Sequence, residues 1–138
     1  MRILILCTGN SCRSQMAHGY LQSLDDNLEV FSAGTKPAER VHPFAIEAMK
    51  EIGIDISHHT PHNVTEYIAQ SWDFVITVCG NADENCPIFS GKVQNRLHIG
   101  FDDPAFIGIY NDFVKIRKEI QSQFDYFYNK ILNIGQTT

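Results

Sequence analysis

After its first arginine, the stretch "RILILC" (2–7) is an unbroken apolar run, without the polar alternation of a strand that faces water on one side. A strand buried on both faces belongs inside a parallel sheet that is covered above and below. Three more runs suit strands: "LEVFSAG" (28–34), closed by Gly34, "DFVITVC" (73–79) and, more weakly, "NRLHIGF" (95–101). Helical patterns separate them. Residues 11–24 carry Met16, Tyr20, Leu21 and Leu24 at helical spacing. "HPFAIEAMKEI" (42–52) has Pro43 in its first turn, where a missing N–H does no harm, and Gly53 as its stop. Asn63 followed by Glu66 makes a capping box for a helix over 63–71. A last helix over 110–132 lines up Phe113, Ile116, Ile120, Phe124, Phe127 and Ile131 on one stripe.

Strands alternating with helices predict an α/β fold: a four-stranded parallel sheet with right-handed crossovers, flanked by helices on both faces. A length of 138 residues suits one catalytic domain spanning 1–138. In such folds the binding crevice opens at the carboxyl ends of the strands. Cys7, Cys79 and the pair Asp102–Asp103 all fall just past predicted strand ends, so the reactive side chains gather at one edge of the sheet.

A net charge of −5 without any Lys/Arg stripe argues against nucleic acid as a partner. Nothing approaches the ~20 apolar residues of a membrane span, and the run from Ile3 to Leu6 is too short for a signal-peptide core. A cytoplasmic monomer is expected. Four cysteines without a signal peptide make a poor disulfide frame. Cys7 and Cys12 resemble half a zinc site, but the six residues between Cys79 and Cys86 are more than a usual knuckle allows. Reactive thiols in a reducing compartment remain, and neither metal nor other cofactor is expected.

"CTGNSCRS" (7–14) joins the first strand to the first helix. Gly9 and Asn10 tolerate the positive φ of a tight loop. The N–H groups of Thr8, Gly9, Asn10, Ser11, Cys12, Arg13 and Ser14 would converge on one point above a helix N-terminus, a nest for an oxyanion. Arg13 adds a fork for two oxygens of the same anion. In that positive field Cys7 is expected to have a depressed pKa, with Ser14 placed to hydrogen-bond its thiolate. The junction reads as an anion trap with a nucleophile as its floor.

"GFDDPAF" (100–106) holds Asp103 before a proline and so out of helical conformation, ready to act as a general acid. "VCGNADENCPIF" (78–89) sets Cys79 and Cys86 on one polar flank, two thiols able to pair if the segment rearranged. Beside Cys7 they suggest a relay.

By these residues the chain resembles the low-molecular-weight tyrosine phosphatase superfamily, with its Cys-x5-Arg-Ser loop and distant Asp-Pro. It looks closer to the thioredoxin-coupled arsenate reductases built on that fold, through "CTGNSCRSQMA", "SAG" (32–34), "AIEAMKEIGIDIS" (45–57), "NCPI" (85–88) and "GFDDPA". The resemblance implies that the loop binds arsenate and Cys7 attacks it. Cys79 then attacks the adduct, and Cys86 attacks Cys79, leaving a Cys79–Cys86 disulfide for thioredoxin to reduce. It implies Asp103 as acid, Arg13 and the loop amides as oxyanion holders, and Cys12 outside the relay. Relatives often hold a potassium ion beside the loop, ligated in part by a glutamate and an aspartate. Those positions are His18 and His62 here, while Asn10 and Ser32 of that site remain. Imidazole is a poor ligand for a hard alkali cation, so potassium is not expected, and a protonated His18 in mild acid could stand in for it. The alternative function is a phosphatase acting on phosphate monoesters, against which stand the relay pair and the Ala105–Phe106 that follow Asp-Pro in place of tyrosines.

Overall fold

The computed structural model describes residues 1–79, 87–106 and 108–132. Four strands, β1 (Arg2–Cys7), β2 (Glu29–Gly34), β3 (Trp72–Thr77) and β4 (Val93–His98), form one sheet in the order β2-β1-β3-β4. Every pairing is parallel. Strand β1 lies in the interior of the sheet and is buried from Ile3 to Cys7, as its apolar run requires. Its last residue pairs with Gly34 of β2, which brings the two strand ends level at the carboxyl edge.

The two faces of β1 separate the core into two layers. Ile3 and Ile5 pack with the three α-helices, α1 (Arg13–Leu24), α2 (Pro43–Lys50) and α3 (Tyr110–Tyr126). Leu4 and Leu6 face the other way, against Ala33, Val64, Trp72, Val75 and Phe89. Among the described residues helical structure therefore flanks both faces, unevenly: the α-helices on one, a 3₁₀ turn (Val64–Glu66) on the other.

That 3₁₀ turn is a correction to the helix expected over 63–71. The capping box between Asn63 and Glu66 does form. The chain then continues in tight turns, Tyr67 N–H to the Val64 carbonyl and Gln70 N–H to that of Tyr67, because Trp72 must enter β3 with its indole N–H on the Tyr67 carbonyl. The fourth strand lies two residues or more earlier than its apolar residues suggest. Strand β4 is at the sheet edge and largely exposed. Phe101 has already left the sheet to stack on Phe124. The stripe along the last helix holds through Phe127, where the winding becomes π-helical over Phe127–Leu132. Five residues per bond turn the phase of the stripe, and Ile131 is exposed.

Candidate active site

After Cys7 the backbone curls into a loop that ends where α1 begins. Asn10 takes the positive φ the turn needs, at +50°, whereas Gly9 does not, contrary to expectation. An asparagine accepts this conformation when its short side chain is anchored, and Asn10 is fully buried. Its amide nitrogen donates to Ser14 Oγ at 2.7 Å, and its Oδ1 accepts from Gln15 Nε2 at 3.1 Å and the His62 N–H at 2.9 Å.

The loop's carbonyl groups are all engaged outside it. Those of Thr8, Gly9 and Ser11 accept from the N–H groups of Lys36, Ala38 and His42, that of Cys12 from Met16, and that of Asn10 from the Gln15 side chain. A peptide N–H points opposite its carbonyl, so tying the oxygens down turns the N–H groups toward the loop's centre. Helix α1 starts at Arg13 with no side chain capping it, which leaves its first N–H groups and positive dipole end for an anion. Gly34 makes this closeness possible: a Cβ there would lie 2.4 Å from the Thr8 carbonyl oxygen.

Arg13 is buried. Its Nη1 donates to the Phe101 carbonyl at 3.0 Å, and its Nη2 stands 3.9 Å from Asp103 Oδ2. Among the described residues its Nε has no partner though it is buried. An unmatched charged donor costs free energy unless a ligand meets it, and beside converging amides it suits an oxyanion. Asp103 is half exposed at the loop mouth, where its Oδ1 accepts from the Ala105 N–H at 2.9 Å. It borders a cavity of about 410 Å³ with Asp102, Pro104 and Phe106.

The thiols behave differently from the expectation. Burial pushes the Cys7 thiol up, and this outweighs the Arg13 charge and the Thr8 and Gly9 N–H groups that pull it down. The depressed pKa expected from the positive field is therefore not found, because desolvation is the larger effect. Ser14 Oγ accepts from the Asn10 amide, which fixes the hydroxyl and leaves its proton available to donate. Cys12 points toward Asp103, Sγ to Oδ1 at 3.8 Å, and burial followed by the charges of Asp103 and Cys7 pushes it up to about 12. It stays a protonated thiol. Cys79 follows β3, partly exposed and near enough to Cys7 for its charge to raise the Cys7 thiol further. Cys86 lies outside the described residues.

The potassium-site positions come together behind the loop. His18 Nδ1 is 2.9 Å from Ser32 Oγ, and the His18 and His59 rings lie 4.5 Å apart. With His58, His62 and Gln15 they border a cavity of about 280 Å³. The oxygens do not suit a cation. Ser32 Oγ is bound to an imidazole, Asn10 Oδ1 already accepts two hydrogen bonds, and His62 pairs with Glu66 at 3.2 Å. Burial first, then the neighbouring histidines, lowers His18 to about 3. His18 is thus neutral in mild acid, and the protonated stand-in expected for the cation does not form. Sequence reasoning missed Gln15 and His59, which join this cluster to Asn10: His59 Nδ1 lies 2.9 Å from Gln15 Oε1. Nothing in their spacing signals that role, which depends on a contact 44 residues apart in sequence.

The sequence profile of the low molecular weight phosphotyrosine protein phosphatase family matches residues 2–135. An arsenate reductase of Staphylococcus epidermidis is 47% identical over 126 residues, covering 91% of this chain and 94% of the relative. The solved structure of an arsenate reductase in the phosphate binding state superposes with a TM-score of 0.82 at 31% identity, covering 94% of this chain and 98% of the other. A thioredoxin-dependent arsenate reductase of Corynebacterium glutamicum gives 0.70 at 27% identity, over 95% of this chain and 61% of that one.

Proposed function

The chain belongs to the low molecular weight phosphotyrosine protein phosphatase family, and on that premise we propose that it reduces arsenate to arsenite with electrons from its own thiols. Arsenate sits on the N–H groups of residues 8–14, with the Arg13 guanidinium, including its unpartnered Nε, on its oxygens. A dianion held there places an acceptor oxygen against the Cys7 thiol and can take its proton directly, which offsets the raised thiol pKa. The Cys7 sulfur attacks arsenic, and Asp103 protonates the departing oxygen, which leaves as water.

Cys79, as thiolate, next attacks the Cys7 sulfur. The S–As bond breaks with its electron pair staying on arsenic, so As(V) becomes As(III) and leaves as arsenite while a Cys7–Cys79 disulfide forms. Cys86 then attacks Cys79 and releases Cys7. The Cys79–Cys86 disulfide that remains is the substrate of a thioredoxin. Cys12, held protonated, takes no part.

The observation that carries this reading over simple phosphatase chemistry is a second thiol, Cys79, within electrostatic reach of the nucleophile. Hydrolysis of a phosphate monoester needs only the loop and the acid. Purified protein with thioredoxin, thioredoxin reductase and NADPH should oxidise NADPH only when arsenate is added. Turnover of an aryl phosphate with no arsenate-dependent NADPH loss would replace this reading with a phosphatase.

A further inference from the structure

Thr77 and His98 are the last register partners of β3 and β4. Their side chains meet, Thr77 Oγ1 to His98 Nδ1 at 2.7 Å. The chain after His98 stays bound to the end of β3. The Ile99 N–H donates to the Thr77 carbonyl at 2.9 Å and the Phe101 N–H to that of Val78 at 3.1 Å. Gly100 lies between them in a tight gap: a Cβ there would be 2.8 Å from His98 Nε2, so the ring would have to shift, and 3.2 Å from the Cys79 carbonyl oxygen. The imidazole and the Cys79 backbone thus flank the same glycine.

This strap continues into the oxyanion loop's own partners. Phe101 supplies the carbonyl that holds Arg13, and Asp103 follows two residues later. On the other side Val78 is tied to β1 by its N–H to the Leu6 carbonyl at 2.9 Å, one residue before Cys7. The backbone from which Cys79 projects is therefore held between Leu6 and the strap, and the Thr77–His98 bond fixes the strap's first turn.

We propose that His98 is a positioning residue for the thiol relay: clamped by Thr77 and seated on Gly100, it fixes where Cys79 leaves β3 and so the approach of its thiol to the Cys7 sulfur. The inference rests on the relay reading above. In-line attack of one sulfur on another tolerates little misplacement, and an error of about 1 Å in a reacting group can cost on the order of 10²-fold in rate. Anion binding reaches the strap only through the Phe101 carbonyl on Arg13, so it depends on the clamp less directly than the Cys79 thiol does.

The test is a single turnover with arsenate in a Cys86→Ser background, where the Cys7–Cys79 disulfide accumulates and can be mapped, alongside the affinity for inorganic phosphate. His98→Ala should slow disulfide formation on the order of tenfold or more and leave phosphate affinity within about twofold. His98→Asn, whose amide can still meet Thr77, should recover most of the rate. A second cycle reads the Gly100 contact: Gly100→Ala should slow the step strongly in the parent and less in the His98→Ala background, where the facing ring is gone. Equal rates in His98→Ala and its parent, or parallel loss of phosphate affinity and disulfide formation, would overturn the clamp while leaving the relay intact. Absence of any Cys7–Cys79 disulfide in the Cys86→Ser parent would instead remove the relay itself.

Discussion

Gly34→Ala isolates the geometric demand the active loop makes on the sheet. The added methyl would stand 2.4 Å from the Thr8 carbonyl oxygen and 3.0 Å from the Asn10 nitrogen, where ordinary contact begins at 3.4 Å. Both neighbours are backbone, and neither can rotate away. Thr8 is pinned by Lys36, Asn10 by Ser14, Gln15 and His62, and Gly34 itself by its N–H to the His62 carbonyl at 2.8 Å. Relief requires the loop to lift by about 1 Å, a displacement that costs on the order of 10²-fold when it falls on a reacting group. Overpacking of this kind also destabilises by about 1–3 kcal/mol. Steady-state arsenate reduction coupled to NADPH should show kcat/KM down by about 10²-fold, with phosphate affinity falling too, since both depend on the converging N–H groups. Urea denaturation should show a lower midpoint with an unchanged slope. A Gly34→Ala protein that binds phosphate and turns over arsenate like the parent would refute the idea that the loop's shape is set by its contact with β2.

Other outcomes follow from the thiols and histidines. Cys7→Ser, Cys79→Ser and Cys86→Ser should each abolish turnover while Cys12→Ser retains it, as measured by arsenate-dependent NADPH oxidation; equal losses at Cys12 and Cys79 would contradict these roles. One turnover without reductant should leave a Cys79–Cys86 disulfide in non-reducing peptide maps, and a Cys7–Cys12 bond alone would favour a phosphatase with a protective thiol pair. Arsenate KM should be the same in potassium and sodium chloride at matched ionic strength, and a several-fold fall specific to potassium would show that a cation does displace the His18–Ser32 bond. His18 is neutral in the fold and titrates at about 3, while an unfolded chain takes up its proton near 6.5. Its neutral form therefore favours folding fully above that pH and loses this advantage as pH falls. Unfolding free energy should drop by about 2 kcal/mol from pH 7 to 5 on this account, and His18→Gln should remove most of that drop in urea titrations.

Much of this architecture was legible in the order of the residues. An apolar run with no alternation can only be an interior strand, and β1 is one because both its faces are covered. The Cys-x5-Arg spacing between a strand and a helix marked the candidate loop, whose shape is then set by Lys36, Ala38, His42 and Gly34. What local patterns convey poorly is exposure at the sheet edge, so β4 starts two residues before its prediction. They also overextended the capping box at Asn63 into a helix, because the pull of Trp72 into β3 comes from outside that segment.

The sequence by itself determined which groups are present and in what covalent order: a thiol, five residues and a guanidinium, a carboxyl before a proline, and two further thiols. Only the tertiary structure decided what those groups experience. Cys7 is flanked by positive charge as its neighbours in sequence foretold, yet its thiol rises, because the layers packed around β1 remove water and desolvation outweighs one guanidinium and two N–H dipoles. Nothing in the order of the residues joins His18 to His59 until α1 and the segment after α2 bring their rings within 4.5 Å and burial holds His18 neutral. Spacing along a chain fixes local geometry through bonds of known length, whereas solvent exclusion and contact between distant segments exist only once the whole chain has packed.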